Sequence, residues 1–292
     1  MRKFFLENET GFRYDLNNRN GNRIFFHNPT GLGFSMDPSY VDLQNGFFRN
    51  VAPGTESQGT LAGDLVFLGP NAYAAYRQFT NWITAAKSLY LVYLPFGGVE
   101  YYRQVSVNYL TKTELTAGSW LTVPVAFACE TPWYRAAPGT MEISQEADNV
   151  LRYSFRYAPD LAYSSSRSGT MAAEIPADGH IPAAFEFSIK GPLQNPILLL
   201  QSSVSSRVFG KCEIRASITA VQTLEISTRY GDAYVRAVSE DGTITDLLDK
   251  VNLANDPFPR VPIGQDCFLS LTAENTVTEK GIIKVFYYYR SV

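Results

Sequence analysis

Cysteine and histidine are nearly absent from this chain, as are blocks of one charge and long apolar runs. Its 292 residues hold three cysteines, Cys129, Cys212 and Cys267, odd in number, widely spaced and each set in a strand-like run. That pattern speaks against a disulfide framework or a zinc site, so buried thiols are expected. The two histidines, His27 and His180, stand far apart, and neither has a companion at metal or triad spacing. No catalytic residue, metal ligand or cofactor-binding residue is therefore expected. The net charge is −3, with no cluster of Lys and Arg to neutralise phosphates, which argues against sequence-specific nucleic-acid binding. The run Phe4-Phe5-Leu6 is too short for a secretion leader. No stretch approaches the roughly 18 apolar residues of a membrane span. A soluble chain made without a secretion signal, and without membrane insertion, is expected.

Acidic pairs are also missing where glycoside hydrolysis would need them, on a strand and about 5–10 Å apart. Glu142, Glu146 and Asp148 crowd a polar stretch, and Asp241, Asp246 and Asp249 flank turns. The glycines Gly31 and Gly33, and Gly97-Gly98, lack the lysine and following helix of a phosphate loop. His180 follows Gly179 at a strand entry, and Lys190-Gly191-Pro192 reads as a turn.

What is present is apolar and aromatic. Hydrophobic residues make up 45% and charged residues only 18%, which suits a sizeable core under an uncharged polar surface. The abundant Tyr and Phe favour strands. Tyr also suits large protein interfaces, being amphipathic at low rotamer entropy.

The pattern along the chain is mostly β, with one helix. Ala72, Tyr76, Phe79, Ile83 and Ala86 recur at steps of four and three, which predicts a helix near 71–87 with that face buried. Pro70 is placed at its first turn. Trp82 flanks the apolar stripe, and Arg77, Thr80 and Asn81 fall toward the opposite face. Short strands joined by polar turns fill the first 57 residues, with Asn20-Gly21 as a hairpin turn. Strand runs follow at 65–68, 89–93, 99–109 and 121–129; Gly97-Gly98 and residues 116–119 turn between the last three. Residues 136–149 hold few large apolar side chains and read as an interdomain linker or ordered loop. Strands are then expected at 150–157, 183–190, 196–201, 212–218, 222–228, 233–238, 242–248, 267–273 and 281–289. Their spacing, with turns about every 8–12 residues, suggests a β-sandwich of jelly-roll kind. The domains expected are 1–135, a linker at 136–149, and 150–292.

The order and spacing of several motifs carry a resemblance. They are Leu61-x-Gly63-Asp64-Leu65-Val66-Phe67, then the helix, then Leu89-x-x-x-Tyr93-x-Pro95. Tyr102-Arg103-x-Val105-x-Val107, Lys112-Thr113-Glu114 and Val125-x-Phe127-x-Cys129-x-Thr131-Pro132-Trp133-Tyr134 follow. Together they resemble the N-terminal domain of siphovirus-type phage distal tail proteins. Ile189-Lys190-Gly191-Pro192 with Asn195-Pro196, and Thr228-x-x-Gly231-x-x-Tyr234-Val235, are similar to that family's galectin-like domain.

The resemblance implies a non-enzymatic structural hub at a virion tail tip, of a phage, a prophage or a tail-derived bacteriocin, present in the host cytoplasm before assembly. An N-terminal β-sandwich or belt domain with one α-helix would close a homo-hexameric ring, single or as two stacked rings. C-terminal galectin-like sandwiches would project outward. The implied partners are the major tail tube protein, the tape measure protein, a tail-associated fibre or lysin protein, and a receptor-binding protein. Interface residues stay unassigned. The alternative is a monomeric carbohydrate-binding module that stacks sugars on Tyr230, Phe258, Tyr287, Tyr288 or Tyr289. For the last three, simple alternation on a strand predicts Tyr287 and Tyr289 outside, with Phe286 and Tyr288 inside.

Overall fold

The computed structural model describes residues 2–17, 23–42, 48–96, 98–114, 120–143, 171–205, 207–254, 256–275, 277 and 279–292. They divide into two compact units, Met1–Arg135 with Tyr289–Val292, and Ala136–Tyr288.

In the first unit the elements run β1 (Lys3–Asn8), β2 (Arg13–Asp15), β3 (Ile24–Thr30), β4 (Met36–Asp42), β5 (Phe48–Glu56), β6 (Thr60–Leu68), α1 (Ala72–Ala85), β7 (Leu89–Leu94), β8 (Tyr101–Leu110), β9 (Trp120–Cys129) and β10 (Trp133–Ile143), the last running on into the second unit. Seven strands pair antiparallel in the order β2-β1-β7-β8-β9-β6-β3. The sheet returns to its start through residues 16 and 17. Leu16 N–H donates to the Phe4 carbonyl and Phe26 N–H to the Leu16 carbonyl, at 3.1 and 2.9 Å. The Asn17 amide pairs with both backbone groups of Phe4, at 2.8 Å each, in place of a strand residue. Edge groups that would otherwise face solvent are thereby satisfied.

Strand β9 alternates as its sequence predicts, with Leu121, Val123, Val125 and Phe127 buried. Gly63 interrupts the same pattern in β6. A Cβ there would sit 2.7 Å from the His27 carbonyl oxygen and the Phe26 ring. Only glycine lets β3 pass at its bulge between His27 and Thr30.

The helix buries Ala72, Phe79 and Ile83, with Tyr76 half-buried and Arg77 and Asn81 exposed. Phe79 lies edge-on to Tyr14 and Phe67, at 5.3 and 5.8 Å, and the Trp82 ring packs 4.7 Å from Tyr14. Two details differ from the expectation. Asn71 is the N-cap, so Pro70 lies one residue outside the helix, and Ala86 is the C-cap. The helix starts after a turn in which Gly69 takes φ +93°, and Ala72 N–H bonds the Gly69 carbonyl at 3.1 Å.

The second unit contains β11 (Met171–Ile175), β12 (Ile181–Lys190), β13 (Leu193–Gln194), β14 (Ile197–Ser202), β15 (Val208–Glu213), β16 (Ser217–Ile218), β17 (Gln222–Arg229), β18 (Asp232–Ser239), β19 (Ile244–Asp246), a 3-10 turn at Leu248–Lys250, β20 (Cys267–Thr272) and β21 (Gly281–Tyr289). One antiparallel sheet runs β21-β12-β17-β18-β19. The other runs β10-β11-β20-β14-β15. Phe185, Phe187, Leu224, Ile226 and Val235 of the first sheet, and Leu198, Leu200, Leu269 and Leu271 of the second, are fully buried. The unit is a β-sandwich.

Residues 136–143, expected in a linker, are strand, because the end of β10 finds a partner: Glu142 and Ile143 pair with Ala172 and Met171. The polar composition misled because strand formation depends on the neighbour more than on the segment itself. The run expected at 212–218 is split between β15 and β16, and that at 242–248 shortens to β19. The expected strand at 150–157, the Asn20-Gly21 turn, the 116–119 turn, Gly97, Glu146 and Asp148 lie outside the described residues.

Candidate functional site

The chemistry-bearing residues are scattered. His27 lies on β3 of the first unit and His180 just before β12 of the second; both side chains are exposed. Asp241 and Asp246 accept from the backbone N–H of Thr243 and Leu248, at 2.8 and 2.9 Å, and Asp249 pairs with Lys250 at 2.7 Å. These acids hold turns. The Glu142 side chain is not among those described. Among the described residues no group of three or more His, Cys, Asp or Glu is placed to hold a metal ion. No helix among them is long and apolar enough to cross a membrane. All three cysteines are buried thiols. Burial pushes Cys212 up to about 12 and, with Asp266 adding, Cys267 up to about 11.

The tyrosines offered as sugar platforms are not surfaces. Tyr287, Tyr288 and Tyr289 are all buried, which overturns the expected alternation. The outward face of β21 is covered: the Arg229 guanidinium lies 4.7 Å from the Phe286 ring centre, and Tyr230 meets Tyr288 edge-on at 5.5 Å. Tyr230 is itself exposed, yet Arg260 sits 3.8 Å over its ring and takes the face a sugar would use. Phe258 is half-buried.

The feature of the first unit that stands apart is the β4–β5 ribbon. Its strands pair with one another through bulges near Asp37 and Ser39, and pair with no other strand among the described residues. Tyr40 and Val41 are 57% and 47% exposed, and Met36 is exposed too. An isolated two-stranded ribbon is marginally stable in water and carries two open edges. Its root is held by hydrogen bonds and an ion pair. Ser57 N–H donates to the Ser35 carbonyl at 3.2 Å, and the two serine hydroxyls meet at 2.5 Å. Arg290, from the C-terminal residues that join this unit, bridges Glu56 at 3.3 Å.

Below the root, Trp133 is wholly buried and donates to the Leu32 carbonyl at 3.1 Å. Arg103 lies 5.5 Å over the Trp133 ring and donates from Nε to the Thr131 carbonyl at 2.8 Å. Gly59 is small because a Cβ would meet Arg103 Nη2 at 2.8 Å. Thr131, Trp133 and Arg103 thus brace the chain on either side of the ribbon, at Leu32 before it and Gly59 after it. The sequence flagged both motifs but offered no sign of this joint task, since Trp133 and Leu32 are 101 residues apart.

A second cluster joins β1, β2 and the entry to β8. Arg13 holds Glu100 with two bonds of 2.9 and 3.0 Å, Glu7 at 2.5 Å and the Tyr102 hydroxyl at 2.7 Å. The Arg13 guanidinium holds Glu100 below the usual carboxylate range, against partial burial, with the Tyr102 hydroxyl assisting. Partial burial and the bond to Glu100 push Tyr102 up to about 12.

Known proteins share this fold. Residues 3–130 match the family model described as the distal tail protein, N-terminal domain. A chain of the phage P2 baseplate, in its activated conformation with calcium, superposes with a TM-score of 0.67 at 15% identity, both chains covered in full. The crystal structure of SPP1 Dit (gp 19.1), titled a paradigm of the hub adsorption apparatus in phages infecting Gram-positive hosts, gives 0.59 at 8% identity. That match covers 97% of this chain and 99% of the other. At these identities the likeness to both is one of fold. No curated protein sequence matches the chain. The first unit is therefore similar to the N-terminal domain of phage distal tail proteins. The chain as a whole shares the fold of these two phage proteins.

Proposed function

We propose that the protein is the structural hub of a tail tip: a homo-hexameric ring that joins the tail tube to the baseplate and its adhesion proteins. The observation that carries this reading is the β4–β5 ribbon, an element with open edges and exposed Tyr40 and Val41, held at its root by hydrogen bonds and an ion pair. Such an element gains stability only by covering a second surface. A cyclic ring uses a heterologous contact, so each copy must offer two different patches, and a ribbon that reaches away from its own sheet supplies one of them.

In this reading residues 1–135 form the ring and the sandwich of the second unit, galectin-like in kind, projects from it. The partners are further copies of the chain, the tail tube protein above, the tape measure protein in the lumen, and a fibre or lysin protein and a receptor-binding protein below. The mild net charge of −3 suits the wall of a DNA conduit, which must not retain DNA. The carbohydrate-module alternative loses four of the five residues on which it rested, because Tyr287, Tyr288 and Tyr289 are buried and Tyr230 is capped, leaving only the half-buried Phe258.

The test is co-expression of the full chain with the adjoining tail proteins, followed by negative-stain electron microscopy and light scattering. Six-fold particles are expected. Persistent monomers in the presence of those partners, or a ring made by residues 145–292 alone, would defeat the proposal.

A further inference from the structure

We propose that the second unit carries a binding site for a neutral saccharide, at the open end of the sheet β10-β11-β20-β14-β15 and away from the tyrosines considered above. Here Ile197 pairs with Glu213 on one side and Thr272 on the other, so the three side chains lie in one row on the outer face of the sheet. The opposite face of the same strands is the core, with Leu198, Cys212 and Leu271 buried. Asn195, Arg215 and Glu274 stand around the row and complete an open hollow of about 430 Å³. That volume lies within the usual range of small-molecule sites, about 300–1,000 Å³.

The hollow holds uncommitted polar groups. The side chains of Asn195, Arg215, Thr272 and Glu274 make no hydrogen bond or ion pair with any described residue. Their backbone is nevertheless pinned. Asn195 sits at φ +46° and its N–H donates to the Ala216 carbonyl at 3.0 Å; Glu274 N–H donates to the Gln194 carbonyl at 2.9 Å. The Arg215 N–H donates to the Lys250 carbonyl at 2.9 Å. Asn275 clamps the same loop by accepting from Gln194 N–H at 2.7 Å and donating to the Pro192 carbonyl at 2.8 Å. The frame is thus fixed before a ligand arrives, and binding orders only the side chains of Arg215, Glu274 and their neighbours, a cost that keeps affinity low.

The charge pattern selects the ligand class. Glu213, Glu274 and Arg215 line the hollow, and Lys211, beside it on β15, bonds Glu213 at 3.1 Å, so both signs are present. An anion meets the carboxylates and a cation meets the guanidinium, so neither gains net attraction. No metal-holding group is formed among the described residues. A neutral ligand rich in hydroxyls uses both signs, since each hydroxyl donates one proton and accepts at its lone pairs. The planar guanidinium, carboxylate and amide each offer two atoms side by side, which suits pairs of neighbouring hydroxyls. The apolar Ile197 floor takes the C–H face of a sugar ring.

This inference does not rest on ring formation. It is tested on the full chain by saturation-transfer NMR and calorimetry with methyl glycosides of galactose, glucose, mannose and N-acetylglucosamine. Glucuronic acid and glucosamine serve as charged controls. Saturable binding of at least one neutral glycoside is expected, weak because the hollow is open. R215A and E274Q, both at exposed positions, should each weaken it about 10-fold, the loss of roughly one charge-assisted hydrogen bond. Unchanged melting temperatures and unchanged assembly would show that neither variant acts through the fold. A D241N variant, at a turn outside the hollow, should bind as the parent does. The inference is overturned if no neutral glycoside gives a saturable signal. It is overturned equally if R215A and E274Q bind as the parent does, or if only the charged sugars bind.

Discussion

At the residue scale, glycines in positive φ separate two causes of strain. Gly31 has φ +84° and a Cβ there would lie 2.0 Å from the Thr60 carbonyl oxygen. Gly242 has the same φ but open space around it. Gly242→Ala should cost only the left-handed conformation, about 1–2 kcal/mol. Gly31→Ala must also displace β6 and should cost clearly more, about 3 kcal/mol or above. Urea midpoints of the two variants measure the difference; equal midpoints would mean that β6 yields freely at Thr60.

The Arg13 cluster sets a pH response at the same scale. Glu100 is lowered in the folded state, so its contribution is complete above the unfolded carboxylate value, about 4.3, and is lost as pH falls through the lowered one. Tyr102 is raised to about 12, so its contribution is complete below about pH 10 and is lost as pH rises toward that value. Arg13→Met should therefore show its full cost above about pH 4.3, and the gap to the parent should close at acid pH; the raised Tyr102 value comes from burial and Glu100, against Arg13, so it sets no upper limit on this cost. Arg13 and Glu100 are both about one-third exposed, so solvent screening holds the ion-pair part of the loss to about 1 kcal/mol. Denaturation midpoints across pH check the shape, and a gap that widens in acid would refute the assignment.

At the scale of elements, the helix and the ribbon make opposite predictions. Phe79 is fully buried among Tyr14, Phe67 and Trp82, so Phe79→Ala should destabilise by about 3–5 kcal/mol. Arg77, on the solvent face, should tolerate Ala within about 0.5 kcal/mol. Chemical denaturation of both variants tests the face. In the ribbon, Val41→Asp alters an exposed side chain and should leave the monomer's stability within about 0.5 kcal/mol. If the ribbon covers a neighbouring copy, the same change should abolish ring particles in co-expression, because an unpaired charge would be buried. Intact rings with Val41→Asp would remove the ribbon from the interface while leaving the hub reading open.

At the scale of the whole molecule, the C-terminus bears on how fragments should be cut. Tyr289–Val292 belong to the first compact unit, where Tyr289 meets Tyr101 edge-on at 5.1 Å and Arg290 bridges Glu56. A fragment ending at residue 135 lacks these contacts at the ribbon root. It should melt lower than the same unit within the full chain, as differential scanning calorimetry would show. Assembly is for that reason better judged on full-length variants than on the isolated first unit.

The sequence by itself determined the elements whose signal is local. The helix face follows from steps of three and four between Ala72 and Ile83, and β9 from strict alternation, because both periods are set by backbone geometry over a few residues. The order of those elements was enough to carry the family resemblance. Tertiary structure decided what depends on coverage and partners. Strand β10 forms through residues of weak strand character because β11 lies beside its end. Tyr288 is buried because Tyr230, 58 residues earlier in the chain, covers the outer face of its strand. Arg13 finds Glu100, and Trp133 the Leu32 carbonyl, across separations of 87 and 101 residues. The hollow at Asn195, Arg215 and Glu274 draws its side chains from loops that share no motif. Periodicity specifies which way a side chain points relative to its own backbone, and the rest of the fold specifies what it meets there.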